Sequence, residues 1–168
     1  AFPDSKRPLL FIAKTDDRAD EIATRLARIG FDNSLGFLEG GFETWKNAGK
    51  PVEKVTDVQP SEVAKLLDEG ADIQIIDVRA PGENNKHCIA KAVNIPLQAR
   101  NMDKVQKDKP TFTYCAGGYR SLVFMSAALV AGLDYTKAHN IVGGFEAIKT
   151  CPAMEKHLKY TVCPKTGL

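Results

Sequence analysis

The stretch CAGGYRS (115–121) packs a thiol, two glycines, an arginine and a hydroxyl into seven residues. A cysteine reacts as its thiolate, and a thiolate forms near neutral pH where amides, a helix N-terminus or a cation offset its charge. This stretch offers all three. Gly117 and Gly118 permit backbone angles by which successive N–H groups, including that of Ala116, converge on an anion. An apolar helical run, 121–131, starts right behind them and supplies its dipole. Arg120 adds a full positive charge, and Ser121 is placed to cap the helix or donate a hydrogen bond. Such surroundings suit nucleophilic chemistry in which sulfur accepts a group and passes it on. The plain alternative is that Cys115 is a small apolar residue at a strand end.

The chain carries its own control for that choice. KRPLLFIAKTDDRADEIATRLARIG (6–30) aligns without a gap with DKPTFTYCAGGYRSLVFMSAALVAG (108–132). After one inserted residue, LEGGFETWK (38–46) aligns with IVGGFEAIK (141–149). Under this match Cys115 falls on Ala13, Gly117–Gly118 on Thr15–Asp16 and Arg120 on Arg18. The first segment keeps the strand, the helix and the arginine without a thiol or loop glycines, so the scaffold does not require the thiol. Asp16 and Asp17 flank Arg18 and oppose anion binding, so the first loop reads as inactive.

Each segment must position its loop with the same succession of elements. LLFIA (9–13) reads as a strand, 18–30 as an amphipathic helix stopped by Gly30, 33–40 as a strand, and 40–49 as a turn and short helix. Lys50–Val55, with Pro51, reads as a linker. Then follow a helix at 61–70, strands at 73–78 and 92–96, a strand at 111–115, the helix at 121–131, a strand at 137–142 and a last helix around Phe145–Lys149. Strands alternating with helices predict an α/β fold, a parallel sheet with helices on both faces. The unbroken apolar run IQIIDV fits burial on both sides. Cys115 then stands at the carboxyl end of a parallel strand, where such sheets bind ligands.

Other residues gather at the same edge. Asp77 and Arg79 end the 73–78 strand. Arg79 either orients an anionic donor, with Asp77 positioning an arginine, or forms a structural ion pair with Glu83 that shapes the loop. Gly143 and Gly144 make a tight turn beside the pocket, matched by Gly40–Gly41. Tyr119 either closes over a substrate or is plain loop surface. The expected site is therefore Cys115 and Arg120 as catalytic groups. Ala116, Gly117, Gly118, Tyr119, Ser121 and Arg79 contact substrate, and Asp77, Glu83, Gly143 and Gly144 give structural support.

CAGGYRS resembles the active-site loop of rhodanese sulfurtransferases: cysteine, two residues, glycine, one residue, arginine, serine. Asp77–Val78–Arg79, Glu83 and AVNIPL (92–97) resemble the same family's preceding motif, although His87–Cys88 and Ala90–Lys91 depart from its usual Gly-His and Pro-Gly. The resemblance covers 56–150 fully and 6–52 as the second half of a degenerate copy. It implies a complete rhodanese-like domain over 56–168, preceded over 1–55 by the C-terminal half of an inactive one. In arrangement the chain resembles the tandem rhodanese tail of metallo-β-lactamase-fold proteins, some of which oxidise persulfides. The expectation is a fragment of such a protein, with a metallo-β-lactamase-fold domain ahead of it or a second copy completing the half-domain. The implied activity is transfer of sulfane sulfur through a Cys115 persulfide, from thiosulfate or a persulfide donor to a thiophilic acceptor. The rival reading is a non-catalytic carrier or docking module of a larger enzyme. Cysteine phosphatases and arsenate reductases, which are similar, place five residues between cysteine and arginine. Four stand here, a cradle suited to a single sulfur atom.

Composition narrows the field. The chain of 168 residues is 43% hydrophobic and 26% charged, with a net charge of +2 and both signs interspersed. No basic block points to nucleic acid, and no run of eighteen apolar residues points to a membrane span. Cys88, Cys115, Cys151 and Cys163 form no C-x-x-C pair, and His87, His139 and His157 read as structural or surface residues. Neither a metal nor a cofactor is expected. Free thiols of a cytoplasmic protein are the default, with a Cys151–Cys163 bridge as the alternative. No role is assigned to the ending CPAMEKHLKYTVCPKTGL (151–168).

Overall fold

The computed structural model describes residues 4–99 and 101–160; Cys163, and with it any bridge to Cys151, lies outside them. The chain divides into two compact units, 1–53 and 54–168.

The first unit is small. Strand β1 (Leu9–Phe11) leads through a 3₁₀ turn at Asp16–Arg18 into helix α1 (Ala19–Arg28), then strand β2 (Ser34–Phe37) and helix α2 (Gly41–Asn47). β1 and β2 pair in parallel. Parallel strands normally lie buried on both faces, yet Leu10 and Leu35 are 76% and 66% exposed.

The second unit is built on a five-stranded sheet. In chain order it contains β3 (Thr56–Val58), α3 (Pro60–Asp68), β4 (Gln74–Asp77), α4 (Pro81–Asn84), β5 (His87–Ile89) and β6 (Val93–Asn94). β7 (Thr111–Tyr114), α5 (Tyr119–Val130), β8 (Ala138–Ile141), α6 (Gly144–Thr150) and β9 (Leu158–Tyr160) complete it. The sheet runs β3-β8-β7-β4-β6, and every neighbouring pair in it is parallel. Side-chain alternation along the strands divides the core between two faces. Ile75, Phe112, Tyr114 and Ile141 join Val63, Phe145 and Ile148 on one side. Ile76, Cys115 and Ala138 join Ile95, Phe124, Met125 and Ala128 on the other. In α5, Ser121, Phe124, Met125 and Ala128 are buried, the i, i+3, i+4, i+7 stripe of a helix lying on a sheet.

Three features differ from the expectation. The stretch beside the linker holds the edge strand β3, whose side chains are mostly exposed and so carry no apolar signal. α5 begins at Tyr119 rather than at residue 121, because Gly118 takes a left-handed conformation immediately before it. The C-terminal stretch, given no role, forms a 3₁₀ segment at Pro152–His157 that buries Met154, then β9, which pairs antiparallel with β5. No helix among the described residues is long and apolar enough to cross a membrane.

Candidate active site

Cys115 follows the last residue of β7 and is 1% exposed, so it lies at the base of its loop beneath α5. Above it Gly117 is exposed and Tyr119 is 79% exposed. Gly118 has φ +101, a conformation open to glycine at little cost. That turn aims the Gly118 N–H at Cys115 Sγ, 3.0 Å away. The amides of Ser121 and Arg120, in the first turn of α5, act on the same sulfur. Burial works against the anion, but these donors outweigh it, and the thiol lies below the ordinary cysteine value.

Ser121 is fully buried, and its Oγ is 2.8 Å from Gly118 O, 2.7 Å from Asn140 Oδ1 and 3.7 Å from Cys115 Sγ. A hydroxyl has one proton to give. The Ser121 contact also lowers the thiol, but with two oxygens much nearer than the sulfur, the backbone amides are the steadier donors to it.

The loop is held from behind by α6. The Phe145 and Glu146 N–H groups donate to Cys115 O and Ala116 O at 2.7 and 3.1 Å. This approach requires Gly144: a Cβ there would lie 2.5 Å from Cys115 O, and φ is +58. Gly143 precedes it with φ +71.

Arg120 reaches sideways. Its Nη1 and Nη2 donate to the two Glu83 carboxylate oxygens at 2.8 and 2.9 Å. The Arg120 hydrogen bonds lower the Glu83 carboxyl to about 2. Glu83 Oε2 also accepts from the Ala80 N–H at 3.1 Å, which closes the first turn of α4. One carboxylate thus ties the cysteine loop to the loop after β4.

One reading of the β4 end needs correction: Arg79 pairs with Asp77 and not with Glu83. It is 3% exposed, and its Nε and Nη2 grip Asp77 at 2.6–3.1 Å. Nη2 also donates to His87 O at 2.8 Å, and the guanidinium lies 4.1 Å from the Phe145 ring centroid. A buried guanidinium needs a partner for its charge and its donors, and fully buried Asp77 is the nearest. Glu83, carried outward by α4, is left for Arg120.

Sequence reasoning missed Asn140 and Asp57. Asn140 Oδ1 lies at Ser121, and its Nδ2 donates to Asp57 Oδ1 at 2.8 Å. The available signal was a side-chain amide in the strand AHNI, next to an apolar residue.

The family model that describes the rhodanese-like domain matches residues 59–151 of the 168, a span holding α3 through α6 and the whole cysteine loop. The chain belongs to the rhodanese-like domain family. Among curated proteins, it is similar to a sulfurtransferase of Allochromatium vinosum, 25% identical over 95 residues that cover 55% of this chain and 87% of that protein. Among solved structures, it is similar to a rhodanese-like domain protein from Staphylococcus aureus, with 29% identity and a TM-score of 0.51 over 55% of this chain and 90% of that one. A rhodanese-like domain from Anabaena sp. aligns with a TM-score of 0.55 at 19% identity, over 68% of this chain and 86% of that one, and shows the fold.

Proposed function

We propose that the rhodanese-like unit moves sulfane sulfur through a persulfide on Cys115. The observation that carries this reading is the Gly118 N–H directed at Sγ from a left-handed turn at the start of a twelve-residue helix. With the thiol ionised, the sulfur attacks the outer sulfur of thiosulfate or of a persulfide. A new S–S bond forms, the old S–S bond breaks, and sulfite or the donor's thiolate leaves with the electron pair. The charge now sits on the outer sulfur of Cys115–S–S⁻, where loop amides stabilise it. A thiophilic acceptor then attacks that sulfur and expels the Cys115 thiolate. Charge and electrons balance without an external oxidant or reductant.

Arg120, held by Glu83, keeps a cation beside the loop whose own charge is largely answered. The loop amides are therefore left to stabilise the single negative charge on the transferred sulfur. In this reading residues 1–55 are the second half of a degenerate rhodanese-like domain, and the chain is part of a larger cytoplasmic protein with a metallo-β-lactamase-fold domain. The donor would then be a persulfide that the front domain also handles.

A thiosulfate:cyanide assay on the chain and on Cys115→Ser tests the proposal. Thiocyanate formed by the first and not by the second supports it. Turnover that survives the substitution, or none in either protein, overturns it; a chain that loads sulfur without turnover is a carrier.

A further inference from the structure

The second unit contains a line of polar contacts that the persulfide chemistry above does not use. Cys115 Sγ, Ser121 Oγ, Asn140 and Asp57 follow one another at 3.7, 2.7 and 2.8 Å. Ser121 and Asn140 are 0% and 5% exposed, whereas Asp57, on the edge strand β3, is exposed. The line therefore runs from the reactive sulfur, beneath α5 and across the sheet, to the surface.

Its direction is fixed by chemistry. An ionised carboxylate only accepts hydrogen bonds, and a side-chain amide offers a donor at one end and an acceptor at the other. Asp57 therefore takes the Nδ2 end of Asn140, which turns Oδ1 toward Ser121. The Ser121 proton is drawn to Oδ1, with Gly118 O as its other close acceptor, and lone pairs of Oγ are left facing the sulfur.

The first unit lacks the thiol, the serine and the asparagine of this line. Thr113 stands opposite Asn140 in the β7–β8 ladder, and Phe11 stands opposite Phe37 in the β1–β2 ladder. With the sequence match, Thr113, Cys115, Ser121 and Asn140 thus correspond to Phe11, Ala13, Ala19 and Phe37. There the polar strip is apolar throughout, with the Phe11 and Phe37 rings stacked at 6.0 Å. Strand, helix and ladder form without the polar residues, so their role lies with the thiol rather than with the scaffold. The Thr113 hydroxyl, buried with no hydrogen-bond partner among the described residues, extends the same strip.

We infer that Asp57, through Asn140, sets the direction of the Ser121 hydroxyl and so tunes the Cys115 nucleophile. Asp57 and Asn140 are positioning residues; neither touches the sulfur. In the resting thiol the serine faces away from sulfur and can accept S–H. When the sulfur becomes a bare anion, the hydroxyl swings to it at the expense of the Asn140 contact. When charge moves to the outer sulfur of a persulfide, the hydroxyl returns. The relay thus restrains the free thiolate relative to the loaded form. The charged groups around the thiol are Arg120 on α5 with Glu83 on α4 behind it, Asp57 on β3 at the far end of the relay, and the mutually paired Asp77 and Arg79 at the end of β4.

This inference rests on Cys115 as the working thiol, but its test needs no turnover. The pH dependence of iodoacetamide alkylation is read at the Cys115 peptide by mass spectrometry, in the full chain. Asp57→Lys replaces the acceptor with a donor, so the Asn140 amide turns and Ser121 is freed toward sulfur. The midpoint is expected to fall by about half to one pH unit, three- to tenfold more thiolate at a given pH below it, the worth of one hydrogen bond. Asn140→Leu is expected to do the same. In a Ser121→Ala background, Asp57→Lys is expected to leave the midpoint in place. An unmoved midpoint in Asp57→Lys overturns the relay. So does an equal shift with and without Ser121, which would make Asp57 only a distant charge. Asp57 is exposed, so its variant carries the test even if Asn140→Leu does not fold. Failure of sulfur transfer with the shifts intact would count against the proposed function alone.

Discussion

Residues 13–18 and 115–120 occupy matching places in two strand–turn–helix segments, and each is followed by a strand and a Gly-Gly turn. In both, the second glycine of the pair lets a helix approach the loop: a Cβ on Gly41 would lie 2.9 Å from Ala13 O, and one on Gly144 2.5 Å from Cys115 O. The two loops diverge in what they hold. Where Gly118 aims an N–H at a sulfur, Asp16 carries a carboxylate that accepts the Gly40 N–H at 2.9 and 3.2 Å. The first loop thus contains an anion of its own, and the second leaves its donors for one. The comparison separates what both segments share, the glycine pair and the helix, from what only the second holds: the thiol, Gly118 and the polar strip beneath α5.

The frame behind the second loop sets the largest predicted effect. Asp77→Ala would leave Arg79 charged and unpaired in the core, and loss of one partner of a buried pair costs about 3–5 kcal/mol. Chemical denaturation should show a fall of that size; a cost under about 1 kcal/mol would mean that water or another group already satisfies Arg79.

Carrying the first loop's residue into the second should impair its chemistry while leaving the sheet intact. Gly118→Asp places a side chain at φ +101, misdirects the amide and sets a negative charge beside the sulfur. Loss of one preorganised donor lowers turnover about a hundredfold, and the Cys115 midpoint should rise. Thiosulfate:cyanide kinetics with a thiol titration check both.

The reverse exchange should gain little. Ala13→Cys introduces a thiol at a buried position whose loop has Thr15–Asp16 in place of the two glycines, so its alkylation at neutral pH should be about tenfold or more slower than at Cys115. Peptide-resolved labelling compares the two cysteines in one sample, and equal rates would mean that the first frame alone activates a thiol.

The smallest effect belongs to the Glu83–Arg120 pair, which is partly exposed. Glu83 has its carboxyl lowered from an ordinary 4.5 to about 2. Its contribution to stability is therefore complete above about pH 4.5 and lost as pH falls through about 2. Solvent screening keeps that contribution to about 1 kcal/mol or less. Glu83→Gln should lower stability by that amount at neutral pH, and the difference from the parent should close in acid denaturation.

The parts of this molecule with strong periodicity were legible in the sequence. α1, α3 and α5 carry helical stripes, and the short strands β4, β7 and β8 alternate with them as a parallel sheet requires. The repeat and the Cys115 loop were visible because residue type and spacing there encode local backbone geometry. What escaped depends on contacts distant in sequence. β3 has three residues, two of them exposed. β5 and β9 each find a partner about seventy residues away. The spacing of Arg79 and Glu83 pointed to an ion pair, but Asp77 shares the buried strand end with Arg79 while α4 turns Glu83 toward Arg120. Asn140 and Asp57 lie 83 residues apart and meet only because β3 and β8 are ladder neighbours.

Intact mass before and after incubation with thiosulfate tests the central claim most directly. The account predicts that the chain gains one sulfur, about 32 Da by stoichiometry, on the Cys115 peptide, that cyanide removes it, and that Cys115→Ser gains nothing. No gain in the parent chain, or the same gain in Cys115→Ser, would contradict it.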